Sequence, residues 1–190
     1  MLGAQPTLWI VAGPNGSGKS TFVERFLGDF IFVNADIIAK TMTGENPDAI
    51  AKQAMFAAEA KRNELMAART SFVTETVFSH ESKLELIRDA RAKGYFVHLI
   101  FICTADPTLN AGRVLQRVAL GGHRVPLHKI AARYARAIAN AKLAAALVNK
   151  MTIYDNTTNN TQFQFVASVI EREMVAVCND PPQWFSTAFC

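Results

Sequence analysis

Residues 13–20 read Gly-Pro-Asn-Gly-Ser-Gly-Lys-Ser and satisfy the pattern Gly-x-x-x-x-Gly-Lys-Ser/Thr at every position. A short apolar, β-branched run, TLWIVA at Thr7 to Ala12, precedes this stretch and is typical of a buried strand. After it, apolar residues recur at helical spacing from Lys19 to Phe30. The sequence therefore predicts a glycine-rich phosphate-binding loop, a P-loop, between a strand and a helix.

The predicted loop has the chemistry to hold a nucleoside triphosphate. Glycines let successive backbone N–H groups point at a phosphate, and the helix N-terminus adds about half a positive charge. We expect Lys19 to contact the β- and γ-phosphates and Ser20 to be a ligand of Mg²⁺, with ATP and Mg²⁺ as the cofactors. The loop residues expected to bind the nucleotide are Gly13, Asn15, Gly16, Ser17, Gly18, Lys19, Ser20 and Thr21. The alternative is a glycine-rich turn that fits the pattern by chance.

The rest of the chain alternates strand and helix patterns. Strands are predicted at residues 30–34, 71–76, 95–103 and 151–155, and helices at 47–69, 81–92, 107–120 and 126–148. Such alternation indicates βαβ units and a parallel sheet flanked by helices. Apolar runs at 163–170 and 174–178 predict a C-terminal β-hairpin, followed by a short closing helix, within about 162–190. The predicted fold class is therefore α/β, of the P-loop kinase-like type, with residues 1–190 in a single domain.

Composition excludes several classes of protein. Half of the 190 residues are apolar and 19% are charged, which excludes a disordered chain, a collagen and a small disulfide-stapled domain. The longest apolar run, Tyr95 to Cys103, is far shorter than the roughly 20 residues of a membrane span. Residues 1–6 show no signal-peptide pattern. We therefore expect a cytoplasmic protein that does not bind membranes.

The positive charge of the chain is concentrated in one segment. The chain has 20 basic and 16 acidic residues, yet residues 107–154 contain eight basic residues and no acidic one. An anionic partner is therefore expected at this segment. A nucleic acid is the competing partner, but Tyr134 is the only aromatic residue between Pro107 and Met151, which disfavours base stacking. We expect a small phosphate-bearing ligand and no nucleic acid.

Residues 107–150, called the lid segment below, place basic residues on two predicted helices. Arg113 and Arg117 are four residues apart and share a face of the first helix. The polar stripe of the second helix consists of Lys129, Arg133, Arg136 and Asn140. Two glycines and Arg124 lie between the helices, within residues 121–126. This pattern favours a hinged lid that grips phosphate, and the alternative is two solvated helical faces.

Two carboxylates are candidates for the acceptor side of a kinase site. Asp36 follows the predicted strand that ends at Asn34, so we expect it at the same sheet edge as the P-loop, where it can orient an acceptor hydroxyl and accept its proton. The alternative is that Asp36 only caps a short helix at Ile37. Glu75, near the end of the third strand, is expected either to hold a substrate hydroxyl or a metal-bound water, or to face solvent on an edge strand. No acidic residue directly follows the strand pattern at 98–103, which disfavours a motor or transport ATPase.

Several segments together resemble one family. They are AGPNGSGKST at 12–21, FVNAD at 32–36, TET at 74–76, GGHRVP at 121–126, IAARYARAIAN at 130–140 and YDN at 154–156. In this order they resemble a zeta-toxin-family P-loop kinase of the compact bacterial type. The resemblance implies ATP-dependent phosphorylation of UDP-N-acetylglucosamine on a hydroxyl of its sugar. It also implies a small antitoxin protein as a partner that blocks the nucleotide site.

The resemblance assigns roles to individual residues of this chain. Asp36 would be the general base, and Asn156 would lie near the nucleotide base. The residues expected to act in catalysis are Lys19, Asp36, Arg124 and Arg133; those expected at the acceptor are Asp36, Glu75 and Thr76; and Arg117 and Asn156 are expected at the nucleotide. The alternative class of function is a nucleotide-dependent binding module, in which ATP moves the lid segment and exposes a surface for a partner.

Overall fold

The computed structural model describes residues 4–119, 126–158 and 162–190, which form one seven-stranded sheet with helices packed on both faces. The strands are β1 (Thr7–Ala12), β2 (Ile31–Val33), β3 (Phe72–Thr76), β4 (Phe96–Cys103), β5 (Lys150–Asp155), β6 (Gln164–Ile170) and β7 (Glu173–Val177). The helices are α1 (Lys19–Phe26), α2 (Ala35–Lys40), α3 (Pro47–Ala67), α4 (Ser82–Ala92), α5 (Pro107–Ala119), α6 (Leu127–Ala145) and α7 (Gln183–Phe189). This architecture confirms the predicted α/β class.

The strands of the sheet run in the order β2-β3-β1-β4-β5-β6-β7. The strands from β2 to β5 in that order are parallel, and the hairpin of β6 and β7 is added antiparallel. β1 lies between β3 and β4, where Ala12 pairs with Thr76 on one side and with Phe101 on the other. Because the carboxyl ends of parallel strands meet at one edge, the P-loop and the loops after β2, β3, β4 and β5 converge there.

Alternate residues of the central strands face two hydrophobic layers. Leu8 and Ile10 of β1 face the larger layer, to which α3, α4, α6 and α7 contribute. Val11 faces the smaller layer, together with Phe22 and Val23 of α1. Successive strand side chains point to opposite faces, so this split follows directly from the apolar run of β1. The central strands are buried on both faces, which is the usual condition of parallel strands.

The predicted helices and strands are present, and the differences at their ends have local causes. α1 ends at Phe26, short of the predicted Phe30. The short helix at Ile37 that the sequence left open is α2, and its cap is Asn34. Asn34 Oδ1 accepts hydrogen bonds from the backbone N–H groups of Asp36 (2.7 Å) and Ile37 (3.4 Å). The alternative role of Asp36 as the cap is therefore wrong.

Both predicted helices of the lid segment are present, as α5 and α6. Asp106 caps α5, since its Oδ1 accepts hydrogen bonds from the backbone N–H groups of Thr108 (2.6 Å) and Leu109 (3.2 Å). Val114 of α5 packs against Ile130 of α6, so the two helices share a small apolar contact. Of the predicted hinge at 121–126, residues 121–125, including Arg124, lie outside the described residues.

The C-terminal hairpin and α7 extend the fold beyond β5. Trp184 of α7 donates a hydrogen bond from Nε1 to Asp155 Oδ2 at 2.6 Å. The other carboxylate oxygen of Asp155 accepts from the backbone N–H of Thr157 at 2.8 Å. α7 therefore supports the chain where β5 ends. Within the described ranges, no helix has the length and apolar character needed to cross a membrane.

Candidate functional site

The P-loop follows β1 and wraps tightly against two other segments. Gly16 has φ +77°, and a Cβ there would lie 2.6 Å from the backbone oxygen of Asn110 in α5. Gly18 has φ +98°, and a Cβ there would lie 2.3 Å from Nδ2 of Asn156. Both positions require glycine for its conformation and for its size. The loop is thus held in its curled form by α5 and by the residue after β5.

Lys19, the lysine of the P-loop motif, is a buried cation with few partners. Its Nζ donates to the backbone oxygen of Pro14 at 2.9 Å and lies 3.9 Å from Glu75 Oε1. Burial lowers the pKa of Lys19, and the positive charge of Arg117 lowers it further, whereas the charges of Glu75 and Asp36 raise it. A phosphate at this place would add to the negative charge of Glu75 beside the buried ammonium group.

Glu75 lies at the centre of the candidate site. Its Oε2 accepts hydrogen bonds from Ser20 Oγ at 2.9 Å and from Asn34 Nδ2 at 3.0 Å. β3, which carries Glu75, lies between β2 and β1, so the alternative of a solvent-facing edge strand is wrong. The register of the sheet pairs Glu75 with Val11, one residue before the end of β1. The carboxylate therefore lies directly beside the start of the P-loop helix.

The oxygen atoms around Ser20 fit a magnesium ion. Mg²⁺ prefers hard oxygen ligands and is usually held by one or two protein groups, phosphates and water. Ser20 Oγ and the carboxylate of Glu75 are two such groups, 2.9 Å apart. Among the described residues there is no cluster of three or more His, Cys, Asp or Glu side chains that could hold a metal by itself. Ser20 and Glu75 therefore provide two oxygen-bearing groups of the type that Mg²⁺ prefers.

Asp36 lies on the first turn of α2, two residues after Asn34, and its side chain is exposed. Because Asn34 caps the helix, the carboxylate of Asp36 is not needed for that purpose. Its charge raises the pKa of Lys19, which places it within electrostatic reach of the P-loop. Asp36 is therefore an accessible carboxylate at the edge where the nucleotide site lies.

Arg113 and Asn156 connect α5 with the P-loop on the other side of the site. Asn156 Nδ2 donates to the backbone oxygen of Ser17 at 2.9 Å. Arg113 donates to the backbone oxygens of Asn156 at 2.7 Å and of Thr157 at 3.2 Å. Asn156 thus lies against the P-loop, and its expected position near a nucleotide base stays a prediction. Sequence reasoning missed these contacts of Arg113, which was expected only as a lid residue on the same helix face as Arg117.

A second group missed from the sequence joins both lid helices to the loop after β4. Tyr134 of α6 donates its hydroxyl to the backbone oxygen of Thr104 at 2.6 Å. The hydroxyl of Thr104 in turn bonds Oδ1 of Asn110, which is fully buried against Gly16. The sequence singled out Tyr134 only as the one aromatic residue between Pro107 and Met151, and it gave no sign of this hydrogen bond. The chain of contacts runs from α6 through Thr104 and Asn110 to the P-loop.

Several buried polar atoms around the loop have incomplete hydrogen bonding. Within the described part of the chain, the buried side-chain atoms without a hydrogen-bond partner are Asn15 Oδ1, Ser17 Oγ, Asn110 Nδ2 and Asn156 Oδ1. All of them belong to the P-loop or to the two residues packed on it. Buried polar groups are nearly always paired, and unpaired ones concentrate at functional sites. The loop is thus a place where a ligand or ordered water can complete the hydrogen bonding.

The remaining residues predicted for the site lie at its margins. Arg133 is half-buried on α6, and Arg117 is exposed on α5 but close enough to lower the pKa of Lys19. Thr76 uses its hydroxyl to accept from the backbone N–H of Phe78 at 3.2 Å, and its backbone oxygen accepts from Gly13 at 3.3 Å. Thr21 is exposed on α1. Thr76 therefore shapes the turn after β3.

The strand, P-loop and helix, the parallel sheet and the two lid helices together define a P-loop kinase-like nucleotide-binding domain. The model of a family described as an AAA domain matches residues 8–141, and the chain belongs to that family. A protein of Haemophilus influenzae described as uncharacterized is 29% identical over 136 residues, which cover 67% of this chain and 96% of that protein.

Solved structures with similar folds include two associated with protein pairs. The crystal structure of AvrRxo1-ORF1:-ORF2 with ATP gives a TM-score of 0.74 at 21% identity, over 98% of this chain and 64% of that one. The PezAT chromosomal toxin-antitoxin system of Streptococcus pneumoniae gives a TM-score of 0.64 at 18% identity, over 91% of this chain and 71% of that one. At these identities the likeness shows the fold. This chain spans less than two thirds of the length of the matched chain in the AvrRxo1-ORF1:-ORF2 structure.

Proposed function

We propose that this protein is an ATP-dependent phosphotransferase that transfers the γ-phosphoryl group to a hydroxyl of a small molecule. The observation that carries the proposal is the 2.9 Å hydrogen bond between Ser20 of the P-loop and Glu75, beside the exposed carboxylate of Asp36. These residues supply what phosphoryl transfer requires, namely a phosphate-binding loop, oxygen ligands for a metal ion and an accessible base.

The P-loop side of the site would bind the nucleotide. Backbone N–H groups of residues 15–20 and the ammonium group of Lys19 would contact the phosphates. Ser20 Oγ and the carboxylate of Glu75 would hold Mg²⁺, which, when bound, neutralises charge on the β- and γ-phosphates. Arg113 and Asn156 would border the nucleoside, because their contacts fix the chain next to Ser17 and Gly18.

Asp36 would act as the general base toward the acceptor. The acceptor oxygen attacks the γ-phosphorus, the bond from that phosphorus to the β–γ bridging oxygen breaks, and ADP leaves. The proton of the acceptor hydroxyl passes to the carboxylate of Asp36. The exposure of Asp36 leaves room for a second ligand beside it.

The lid segment would supply positive charge to the transferring phosphoryl group. The charge of Arg117 lowers the pKa of Lys19, which supports a role for Arg117 near the phosphates that Lys19 would bind. Arg133 lies seven residues before Asn140 on α6 and therefore on the same helix face, the face that contacts the loop after β3. Arg124 is the third arginine that we propose for this role.

The acceptor that we propose is a nucleotide sugar such as UDP-N-acetylglucosamine. The support is the resemblance of the segments at 12–21, 32–36, 74–76 and 121–140 to zeta-toxin-family kinases. Fold similarity to the PezAT toxin-antitoxin system supports, as a further part of the proposal, a small antitoxin protein as partner. A cytoplasmic location, where ATP and nucleotide sugars are available, belongs to the same proposal.

The test is transfer of phosphate from Mg-ATP to a panel of nucleotide sugars, measured as the mass gain of one phosphate. Asp36→Ala is expected to lower transfer by about 10² to 10⁴-fold while ATP affinity changes little, because a general base contributes in that range. Phosphate released only to water would contradict a phosphotransferase and favour a nucleotide-dependent binding module.

The chain offers a closely matched control for Asp36. Asp48 is also exposed, also occupies the second position of a helix, and follows Asn46, which caps α3 as Asn34 caps α2. Asp48→Ala should leave transfer at the wild-type rate. Equal losses in the two variants would mean that the helix start, and not a base, is responsible.

A further inference from the structure

The turn after β3 contains a backbone conformation that its residue does not favour. Phe78 has φ +62° and is fully buried. A bulky residue rarely adopts this left-handed conformation, and such residues persist only where the surroundings hold them. The turn begins directly after Glu75 and Thr76, so its geometry determines where the end of β3 lies.

Three side chains bond this turn, and two of them come from α6. Thr76 Oγ1 accepts a hydrogen bond from the backbone N–H of Phe78 at 3.2 Å. Asn140 of α6, itself buried, donates from Nδ2 to the backbone oxygen of Phe78 at 2.9 Å. Arg136 Nε donates to the backbone oxygen of Ser79 at a longer 3.3 Å. Asn140 is therefore the buried group through which the lid segment contacts the turn.

The same turn is linked to the candidate metal ligands. The backbone oxygen of Thr76 accepts from Gly13 at the start of the P-loop at 3.3 Å. Glu75, one residue earlier, accepts from Ser20 Oγ at 2.9 Å. A shift of the turn would therefore move the end of β3 relative to the P-loop, and with it the carboxylate of Glu75 relative to Ser20.

We propose that Asn140 is a positioning residue for Glu75. By holding Phe78 in its left-handed conformation, the amide of Asn140 keeps the carboxylate of Glu75 directed at Ser20. It also couples the position of α6 to the metal-binding side of the site. The functional meaning of this coupling rests on the proposed binding of Mg-ATP, and the contact between Asn140 and Phe78 is tested separately below.

The first measurement is the effect of Mg²⁺ on ATP binding, by titration calorimetry with ATP alone and with Mg-ATP. Asn140→Asp keeps the size of the side chain but replaces the donor amide with a carboxylate, and Asn140→Ala removes the donor without adding charge. In both variants, the factor by which Mg²⁺ increases the affinity for ATP is expected to be at least tenfold smaller than in the wild-type protein. An unchanged Mg²⁺ effect in both variants would overturn the proposal.

A double-mutant cycle separates positioning from general damage to the fold. If Asn140 acts through Glu75, the Mg²⁺ effect on ATP affinity in the double variant Glu75→Gln/Asn140→Asp should be less than twofold smaller than in Glu75→Gln alone. Effects that multiply would show that Asn140 acts independently of Glu75 and would refute the proposal. Asn149→Asp is the control, because it likewise replaces a donor amide by a carboxylate, but at the opposite edge of the sheet. There Asn149 Nδ2 donates to Glu171 Oε1 at 2.9 Å, and Asn149 Oδ1 accepts from the backbone N–H of Val97 at 2.8 Å.

Hydrogen exchange tests the contact without any ligand. The amide of Phe78 should exchange at least tenfold faster in Asn140→Asp and Asn140→Ala than in Asn149→Asp, after correction for global stability. Equal protection in all three variants would overturn the proposed role of Asn140. A wild-type protein that binds no ATP would refute the proposed function, while the exchange result would still decide whether Asn140 holds the turn.

Discussion

Replacing Gly18 by alanine tests whether Asn156 and the P-loop form one packed unit. The new Cβ would lie 2.3 Å from Asn156 Nδ2, far inside van der Waals contact, at a residue with φ +98°. The side chain of Asn156 must move away, which breaks its hydrogen bond to the backbone oxygen of Ser17. The variant therefore carries both a backbone strain and a lost hydrogen bond.

The cost can be estimated from these two contributions. A non-glycine residue in a left-handed conformation costs about 1–2 kcal/mol. A buried hydrogen bond whose partner is left unsatisfied costs about 1–3 kcal/mol. We therefore expect Gly18→Ala to lower the free energy of unfolding by about 2–5 kcal/mol. Asn156→Ala alone should lower it by the second contribution only.

The double variant gives the decisive comparison. Because Gly18→Ala already displaces Asn156, adding Asn156→Ala should cost little more, so the two changes should be less than additive. Urea unfolding measures this directly, as shifts of the midpoint at constant slope. Gly112→Ala in α5 is the control: nothing lies within 4 Å of its Cβ position, and alanine should be neutral or stabilising there by up to about 1 kcal/mol. Full additivity of Gly18→Ala and Asn156→Ala would refute the packing argument.

Two further predictions concern the lid segment and the pH dependence of stability. Tyr134→Phe removes the hydroxyl that donates to the backbone oxygen of Thr104 at 2.6 Å, so the free energy of unfolding should decrease by about 0.5–1.5 kcal/mol. The rate of phosphoryl transfer should fall more than the affinity for ATP. A transfer rate equal to that of the wild type would contradict a role of Tyr134 in holding α6. Burial, with a smaller effect of Lys150, lowers the pKa of His98 from 6.5 to about 4, so the unfolded chain binds a proton that the folded protein does not. The contribution of neutral His98 to the free energy of unfolding should therefore be full above pH 6.5 and decrease as the pH falls toward 4. In that window, the difference in free energy of unfolding between wild type and His98→Gln should change by up to about 1.4 kcal/mol per pH unit. A difference that does not vary with pH would place the pKa of His98 near its ordinary value.

The P-loop part of the fold can be predicted because its signals are local. Glycines at fixed spacing, an apolar strand pattern before them and a helical pattern after them all lie within 24 residues, and the predicted bounds of β1, Thr7 to Ala12, are confirmed. The helices predicted at 47–69 and 107–120 likewise begin as expected, because each start is marked by a capping residue followed by proline, Asn46-Pro47 for α3 and Asp106-Pro107 for α5. Each signal acts over one or two turns of chain, so no tertiary contact is needed to interpret it.

The surroundings of Glu75 cannot be derived from the sequence in the same way. β3 comes third along the chain, yet it lies beside β1 and is covered on its other side by β2. Nothing in the residues Thr74-Glu75-Thr76 indicates this strand order, so both a site position and a solvent-facing edge are compatible with the sequence. The hydrogen bond from Ser20 to Glu75, 55 residues apart, exists only because of that order.

The same limit applies to Asn110 and Arg113. Both lie on α5, where their residue types are unremarkable for a partly exposed helix. Their contacts with Gly16 and with the chain after β5 depend on how α5 lies across the sheet edge. Contacts between such distant segments become visible only when the helix has been placed in three dimensions.

The hydrogen bond from Trp184 to Asp155 gives the protein an internal optical reporter. Asp155 also fixes the backbone of Thr157, whose oxygen binds Arg113, so the indole is connected to the region expected to border the nucleoside. A ligand that orders residues 155–157 should delay the thermal fraying of α7 and alter the emission of Trp184. Occupancy of the candidate nucleotide site can then be followed by fluorescence, without a label and without knowledge of the acceptor.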